Sequence, residues 1–318
     1  MALFLAENDV RQVLTATMAL EAVESAHRDL ALGQAQDTPR ARTRLPQTVL
    51  HILQGALPAQ GVIGYKAYTT NRSGNRFLVH LFDAASGSLL AVIEADYLGM
   101  IRTGAASGVA ARWLARPDAS VAGVFGAGWQ AEGHVLGICA AMPLELVKVF
   151  SRNAEKLRAF CERLSRMTGV AVAPAASAED TVRGSDLVGA VTTATQPLFD
   201  ADWLEPGTHI NAAGSNALIR HELSEAALRR CAVVAVDAVP TALAEAGDLL
   251  PLLEKGRLHP RQLVELGDII TGRRAGRTAA DQITVFESQG MAIQDLAVAV
   301  RVVAAARERG LGVELPLQ

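Results

Sequence analysis

The chain has 318 residues, 50% hydrophobic and 20% charged, with a formal net charge of −3. That length allows two domains with substantial cores, and the slightly acidic balance gives no support for a nucleic-acid partner. No apolar run reaches the roughly 18 residues that a membrane span needs.

In chain order, the opening MALFLAENDV lacks a basic flank and does not read as a secretory signal. A helix is expected near Met18 to Leu32, with Ala19, Val23, Ala26 and Leu30 on one face. DTPRARTRLPQ packs three arginines between two prolines and reads as an irregular, exposed connection. TVLHIL, GVIGYKAYTT, FLVHLFD and SLLAVIE read as strands, the last two flanking a hairpin turn at AASG. This first region is therefore expected to be a mostly antiparallel sheet with helical cover. A helix is then expected from near Thr103, which places Arg102 at its N-terminus. A cation at that positive dipole end is unfavourable unless an anion sits between it and the free N–H groups.

From Val121 the rhythm changes to strand, helix, strand, helix, the pattern of a doubly wound parallel sheet. GMAIQDLAVAVRVVAAARERGLG is a long helix stopped at Gly310, too apolar for a free surface helix. It is expected to pack on the first region or on a second subunit. Cys139, Cys161 and Cys231 are widely spaced and match neither a metal pattern nor a disulfide framework. They read as reduced residues of a cytoplasmic protein, and no metal site is expected.

Between a strand and a helix, GVFGAGWQAEGH places Gly126, Gly128 and Ala131 in a GxGxxA turn. The first glycine permits the tight turn and the second lets the backbone approach a pyrophosphate. The small third residue lets helix and strand pack closely. The helix N-terminus adds unpaired N–H groups and a positive dipole end. An acid at the end of the next strand would bind the ribose 2′-OH of NAD. That strand ends VFSRN, so Ser151, Arg152 and Asn153 stand there instead. A guanidinium can pair with a 2′-phosphate through its planar fork, which favours NADP over NAD. Of the 30 basic residues only Lys66, Lys148, Lys156 and Lys255 are lysine, so a lysine in a special context is informative.

Several stretches in combination resemble the ornithine cyclodeaminase/μ-crystallin family over nearly the whole chain. They are YKAYTT, LGMIRTGAASGVAARWLARPDA, GVFGAGWQA, LEPGTHINAAGSN, EAGDLL and ITVFESQGMAIQDLA. The resemblance implies an α/β fold in which a Rossmann doubly wound parallel sheet is inserted in a second α/β dimerisation and substrate domain. The boundaries it gives are 1–115 with 291–318, and 116–290. It implies a homodimer and a small carboxylate substrate. It assigns Lys66 and an arginine of PRARTRL to the substrate carboxylate, Arg42 being preferred over Arg40 and Arg44. Arg102 and Thr103 resemble the diphosphate-binding pair, and Trp129 and Gln130 the loop residues that touch the cofactor. Thr192 and Ser288 resemble residues lining the nicotinamide side, and Arg220 a cofactor-contacting cation.

The chain departs from the cyclodeaminases at Asn216, where those enzymes carry an acid/base aspartate. An amide cannot take a proton near neutral pH. Reduction of a preformed imine needs less proton transfer than cyclodeamination, and an Asn could still orient such a substrate. The expected activity is thus NADP-dependent reduction of a small cyclic ketimine or 2-imino acid. Ornithine cyclodeaminase, alanine dehydrogenase and an NADPH-bound small-ligand binding protein are the alternatives. His51, His80 and His134 read as satisfied core or surface histidines; Asp248 and Asp295 look functional by position, although a carboxylate at a helix start is more often a cap.

Overall fold

The computed structural model describes residues 2–72 and 74–316. The first half of the chain forms β1 (Ala2–Leu5), α1 (Glu7–Val13), α2 (Ala16–Ala31), β2 (Gln36–Arg44), β3 (Thr48–Leu57), β4 (Val62–Asn71), β5 (Gly74–Asp83), β6 (Leu89–Glu94) and α3 (Asp96–Leu114). Next come β7 (Val121–Phe125), α4 (Trp129–Ala141), β8 (Leu146–Phe150), α5 (Ala154–Thr168), β9 (Ala171–Pro174), α6 (Ala178–Val182) and β10 (Leu187–Ala190). The remainder is β11 (His209–Ala212), α7 (Glu225–Arg229), β12 (Cys231–Val236), α8 (Val239–Glu245), α9 (Leu250–Glu254), β13 (Leu263–Glu265), α10 (Leu266–Ile270), β14 (Ile283–Glu287), α11 (Ala292–Glu308) and β15 (Val313–Leu315). No helix among the described residues is long and apolar enough to cross a membrane.

The chain divides into two compact units, Met1–Arg102 with Gly290–Gln318, and Thr103–Gln289. The division falls inside α3, upstream of the boundary expected after residue 115. In the first unit seven strands run in the order β15-β1-β6-β5-β4-β3-β2. All neighbours are antiparallel except β1 and β6. Period-two alternation sends Val62, Gly64 and Lys66 of β4 to the buried face, and Ile63 to the other. The terminal helix α11 packs on α2 and on β3, β4 and β5, as its apolar surplus requires. Ile293, Leu296, Ala297 and Val302 of α11 are fully buried, with Leu53, Leu57, Val79 and Leu81 of the sheet.

DTPRARTR is not an irregular connection: it is the edge strand β2, paired antiparallel with β3. The ladder shifts register between Thr38 and Ala41, so Pro39 costs no strand hydrogen bond at this bulge. The arginines also blunt an open edge against pairing with another sheet. Helix α3 begins at Asp96 rather than near Thr103. The Glu7 carboxylate accepts from the backbone N–H groups of Asp96 and Tyr97 and so caps it. Arg102 therefore lies within the helix, and no dipole conflict calls for an anion there.

The second unit is an all-parallel sheet in the order β13-β12-β14-β11-β10-β7-β8-β9. The chain leaves β7 for β8 and β9, then returns to the other side of β7 to make β10. That reversal is the topological switch point, outside whose carboxyl strand ends ligands bind. Alternate residues of β7 enter two separate cores. Ala122 and Val124 join one with α4 and α5, and Phe125 joins the other with α6, α7 and α8.

Because Leu296 joins α11 to the first sheet at Gly64, Leu296→Ala is expected to lower unfolding stability by about 2–5 kcal/mol. Urea unfolding followed by circular dichroism measures this. An unchanged midpoint would contradict the packing of α11 on β4.

Candidate functional site

The glycine turn of the second unit lies at the switch point. Gly126 follows β7 with φ +114°, and a Cβ there would stand 2.8 Å from the Val191 carbonyl oxygen. Only glycine suits that conformation and that approach. Gly128 is the N-cap of α4, with no side-chain cap, and the space where its Cβ would be is open. The Glu132 N–H donates to the Gly128 carbonyl, and the positive end of the helix dipole points from this turn. Ala131 is fully buried in the core beneath. Trp129 and Gln130 are exposed on the first turn. The turn fits a dinucleotide pyrophosphate.

Two neighbouring strand ends complete this edge. After β8, Ser151 is half-buried and Arg152 exposed, while the Asn153 side chain accepts from Lys156 N at 2.9 Å and caps α5. No carboxylate stands among these residues. After β10, Thr192 donates its backbone N–H to Glu222 Oε1 at 2.6 Å. Arg220 donates to the Thr193 carbonyl oxygen.

After β11, Gly214 N donates to Glu222 Oε2 at 2.8 Å and Ser215 Oγ to Glu287 Oε1 at 2.7 Å. Asn216, one residue on, is exposed. Ser288 is buried and donates from Oγ to Asp237 Oδ2 at 2.9 Å. Asp248 is not a helix cap: it is buried and accepts from Glu222 N at 2.9 Å. Burial raises the pKa of Asp248 and lifts that of Glu287 well above the carboxylate range. None of the above expectations includes Glu222, Glu287 or Asp237. The last two had a signal, an acid closing an apolar strand (ITVFE, AVVAVD), whereas Glu222 had none.

His134 is buried on α4 as expected but is not satisfied, since neither ring nitrogen has a hydrogen-bond partner among the described residues. Burial lowers its pKa to about 4, so the ring is neutral at pH 7. The three cysteines are free thiols, and burial raises the pKa of each.

The first unit holds the other candidates. Lys66 is 3% exposed, and its Nζ donates to Asp295 Oδ1 at 2.8 Å. The same oxygen accepts from Arg102 Nε at 3.0 Å, and Arg102 Nη1 donates to Gln294 Oε1 at 2.9 Å. Asp295 is thus an ion-pair partner rather than a simple cap. A Cβ on Gly99 of α3 would stand 3.0 Å from Lys66 Nζ, so the glycine makes room for the ammonium. Burial pulls the Lys66 pKa down to about 8, with Asp295 opposing this and the Arg102 and Arg40 charges adding to it.

Along the same face run Arg42, His51, Tyr68 and Phe77, paired across β2, β3, β4 and β5. His51 stacks on Tyr68 with centroids 4.2 Å apart, and Tyr68 on Phe77 at 4.8 Å. Lys66 Nζ lies 5.1 Å from the Phe77 centroid. His51 is held at a pKa of about 4, first by burial and then by Arg42, Arg40 and Arg44. Arg40 stands 6.0 Å over Tyr68, and Arg44 is exposed at the strand end. Lys66, Arg42 and Arg102 thus share the first unit. Thr103, Gly126, Gly128, Trp129, Gln130, Ser151, Arg152, Thr192, Asn216, Arg220 and Ser288 belong to the second.

The chain is 37% identical to a Δ1-pyrroline-2-carboxylate reductase of Bacillus cereus over 236 residues, 74% of this chain and 72% of the relative. It superposes with a TM-score of 0.93 on Thermococcus litoralis Δ1-pyrroline-2-carboxylate reductase in complex with NADH and L-proline. That pair is 28% identical over 98% of this chain and 100% of the other. The TM-score is also 0.93 for an archaeal alanine dehydrogenase dimer with bound NAD, 29% identical over 100% and 99% of the two chains. A family model matches residues 2–310, and the chain belongs to the ornithine cyclodeaminase/mu-crystallin family.

Proposed function

We propose that the protein is an NADP-dependent reductase of small cyclic ketimine carboxylates of the pyrroline-2-carboxylate type. One observation carries the reading. In the first unit two buried cations, Lys66 and Arg102, share a single carboxylate oxygen of Asp295, two positive charges on one negative charge. Buried charge is tolerated when paired, so a substrate carboxylate is the fitting partner. Arg42 and Arg40 on the same face add to its attraction. Such a face disfavours the distal ammonium of a diamino acid, which argues against ornithine as substrate. Asn216 argues the same way, because it orients without exchanging protons. The similarity to two pyrroline-2-carboxylate reductases supports this substrate class.

Lys66 and Arg42 would bind the substrate carboxylate and fix the orientation of the ring. The imine nitrogen arrives protonated from water, so its reduction needs no proton from the protein. The bound dinucleotide supplies the hydride that turns the C=N carbon into C–H and leaves a cyclic amino acid. Gly126, Gly128 and the first turn of α4 would hold its pyrophosphate, with Trp129, Gln130, Thr192, Arg220 and Ser288 around the remainder. Arg102 and Thr103 stay on the diphosphate by family resemblance alone, since Arg102 is engaged with Asp295. The preference for NADP rests on Arg152 standing exposed where NAD enzymes place an acid.

A homodimer fits the opposite face of the first sheet, where Leu50, Ile63 and Leu78 are 37%, 48% and 36% exposed. These three sit at outward positions of β3, β4 and β5, the kind of patch that marks an interface.

The reading is tested by NADPH oxidation with Δ1-pyrroline-2-carboxylate and Δ1-piperideine-2-carboxylate. Turnover is expected, with no ammonia released from L-ornithine and NAD(P)+. Ornithine-dependent ammonia would overturn it, and NADPH binding without turnover of any imine would favour a binding protein. NADPH is expected to bind at least ~10-fold tighter than NADH, the value of one charge-assisted phosphate contact. Arg152→Ala should narrow that gap, and fluorescence titration of both cofactors decides it. For Lys66→Ala, kcat/KM on the imine is expected to fall by ~10–100-fold with cofactor affinity unchanged. In the wild type, binding of the non-reducible analogue pyrrole-2-carboxylate is expected to weaken as pH rises through about 8, because the ammonium is then lost. Binding that stays flat to pH 10 would remove Lys66 from the grip.

A further inference from the structure

We propose that Glu222 is a positioning residue for the cofactor, its carboxylate fixing the loops that carry Thr192 and Asn216. The proposal rests on the reading of this strand edge as the dinucleotide site. Parallel strands β10 and β11 end together: the last bond between them runs from Ala213 N to the Ala190 carbonyl oxygen at 3.0 Å. Beyond it the two chains separate, and the next backbone N–H groups need another acceptor. The two oxygens of Glu222 supply it, Oε1 to Thr192 N at 2.6 Å and Oε2 to Gly214 N at 2.8 Å. One carboxylate thus takes over from the ladder where the proposed cofactor contacts begin.

The surroundings are built for this grip. Glu222 is fully buried. A Cβ on Gly214 would stand 2.3 Å from its Oε2, so glycine is needed for the approach. The backbone of Glu222 is held on both sides. Its N–H donates to Asp248 Oδ1 at 2.9 Å, and its carbonyl accepts from Leu198 N at 2.9 Å. His221 N donates to the Ala194 carbonyl oxygen at 3.1 Å, so the mount is tied to the same β10 loop that the side chain holds. Burial raises the Glu222 pKa to about 7, with the bonds from Thr192 opposing this and the Asp248 charge adding to it. Keeping a carboxylate there among other acids is costly, and such local conflicts collect at functional sites.

Glu222→Gln keeps the shape but offers one acceptor oxygen and an NH2 group, so one of the two backbone donors meets a donor. The test is fluorescence titration of NADPH and NADH on the wild type and the E222Q variant, with steady-state kinetics on the imine. Expected is a loss of cofactor affinity of ~10-fold or more, with the KM for the cofactor raised. A lowered thermal midpoint with unchanged cofactor affinity and both KM values intact would show a merely structural tie and overturn the proposal. If E222Q does not fold, Glu222→Asp keeps the charge on a shorter arm. Weakened cofactor binding by E222D then supports the proposal, and wild-type affinity overturns it. Failure of the wild type to bind either dinucleotide would overturn the cofactor reading itself, a result distinct from equal binding by wild type and variant.

Discussion

One carboxylate oxygen organises the first unit. Asp295 Oδ1 accepts from Lys66 and from Arg102 and is itself fully buried. Its partners lie 229 and 193 residues away in sequence. Through it the helix near the end of the chain is joined to the middle of the sheet and to α3. Breaking a buried pair by removing one partner leaves an uncompensated charge, at a cost of roughly 3–5 kcal/mol. The interaction therefore fixes α11 and keeps two cations in a place that apolar packing alone would not tolerate.

The second unit poses the opposite electrostatic problem. Glu222, Asp248, Glu287 and Asp237 are all buried, and each accepts from loop atoms at the carboxyl ends of the strands. Asp237 Oδ2 takes the Gln289 N–H at 2.7 Å in addition to the Ser288 hydroxyl. Loops that leave a parallel sheet lose their ladder partners, and these acids replace them. Burial and mutual repulsion raise the pKa of Glu287. Glu287 therefore releases its proton at a higher pH than an isolated carboxylate would.

What the sequence made legible is what depends on near neighbours. The GxGxxA turn, the alternation along β4 and the apolar excess of α11 are each complete within a short window. The misread elements depend on distant partners. The start of α3 is obscured by Gly99, whose reason is the Lys66 ammonium, and by a cap that Glu7 supplies from 89 residues away. β2 reads as a loop because Pro39 and the arginines argue against a strand, and only pairing with β3 at an edge reconciles them. Asp295 looks like a cap because nothing near it in sequence reveals two cations. Glu222 carries no local signal, since its meaning lies in where β10 and β11 stop.

The Lys66 environment sets stability and binding against each other. In the unfolded chain the ammonium has its ordinary pKa of 10.5, and in the fold burial holds it near 8. Between those values the unfolded state binds more protons at this site, so folding gains stability as pH rises through the window. The charge useful for gripping a carboxylate is lost over the same interval. At neutral pH the fold therefore bears the cost of a charged, dry lysine with half a counter-ion. A substrate carboxylate supplies the missing charge, so part of its binding free energy comes from relieving a strain already present in the free protein. The same account explains why Asp295 serves two cations rather than one: a fully neutralised lysine would have little left to offer an anion.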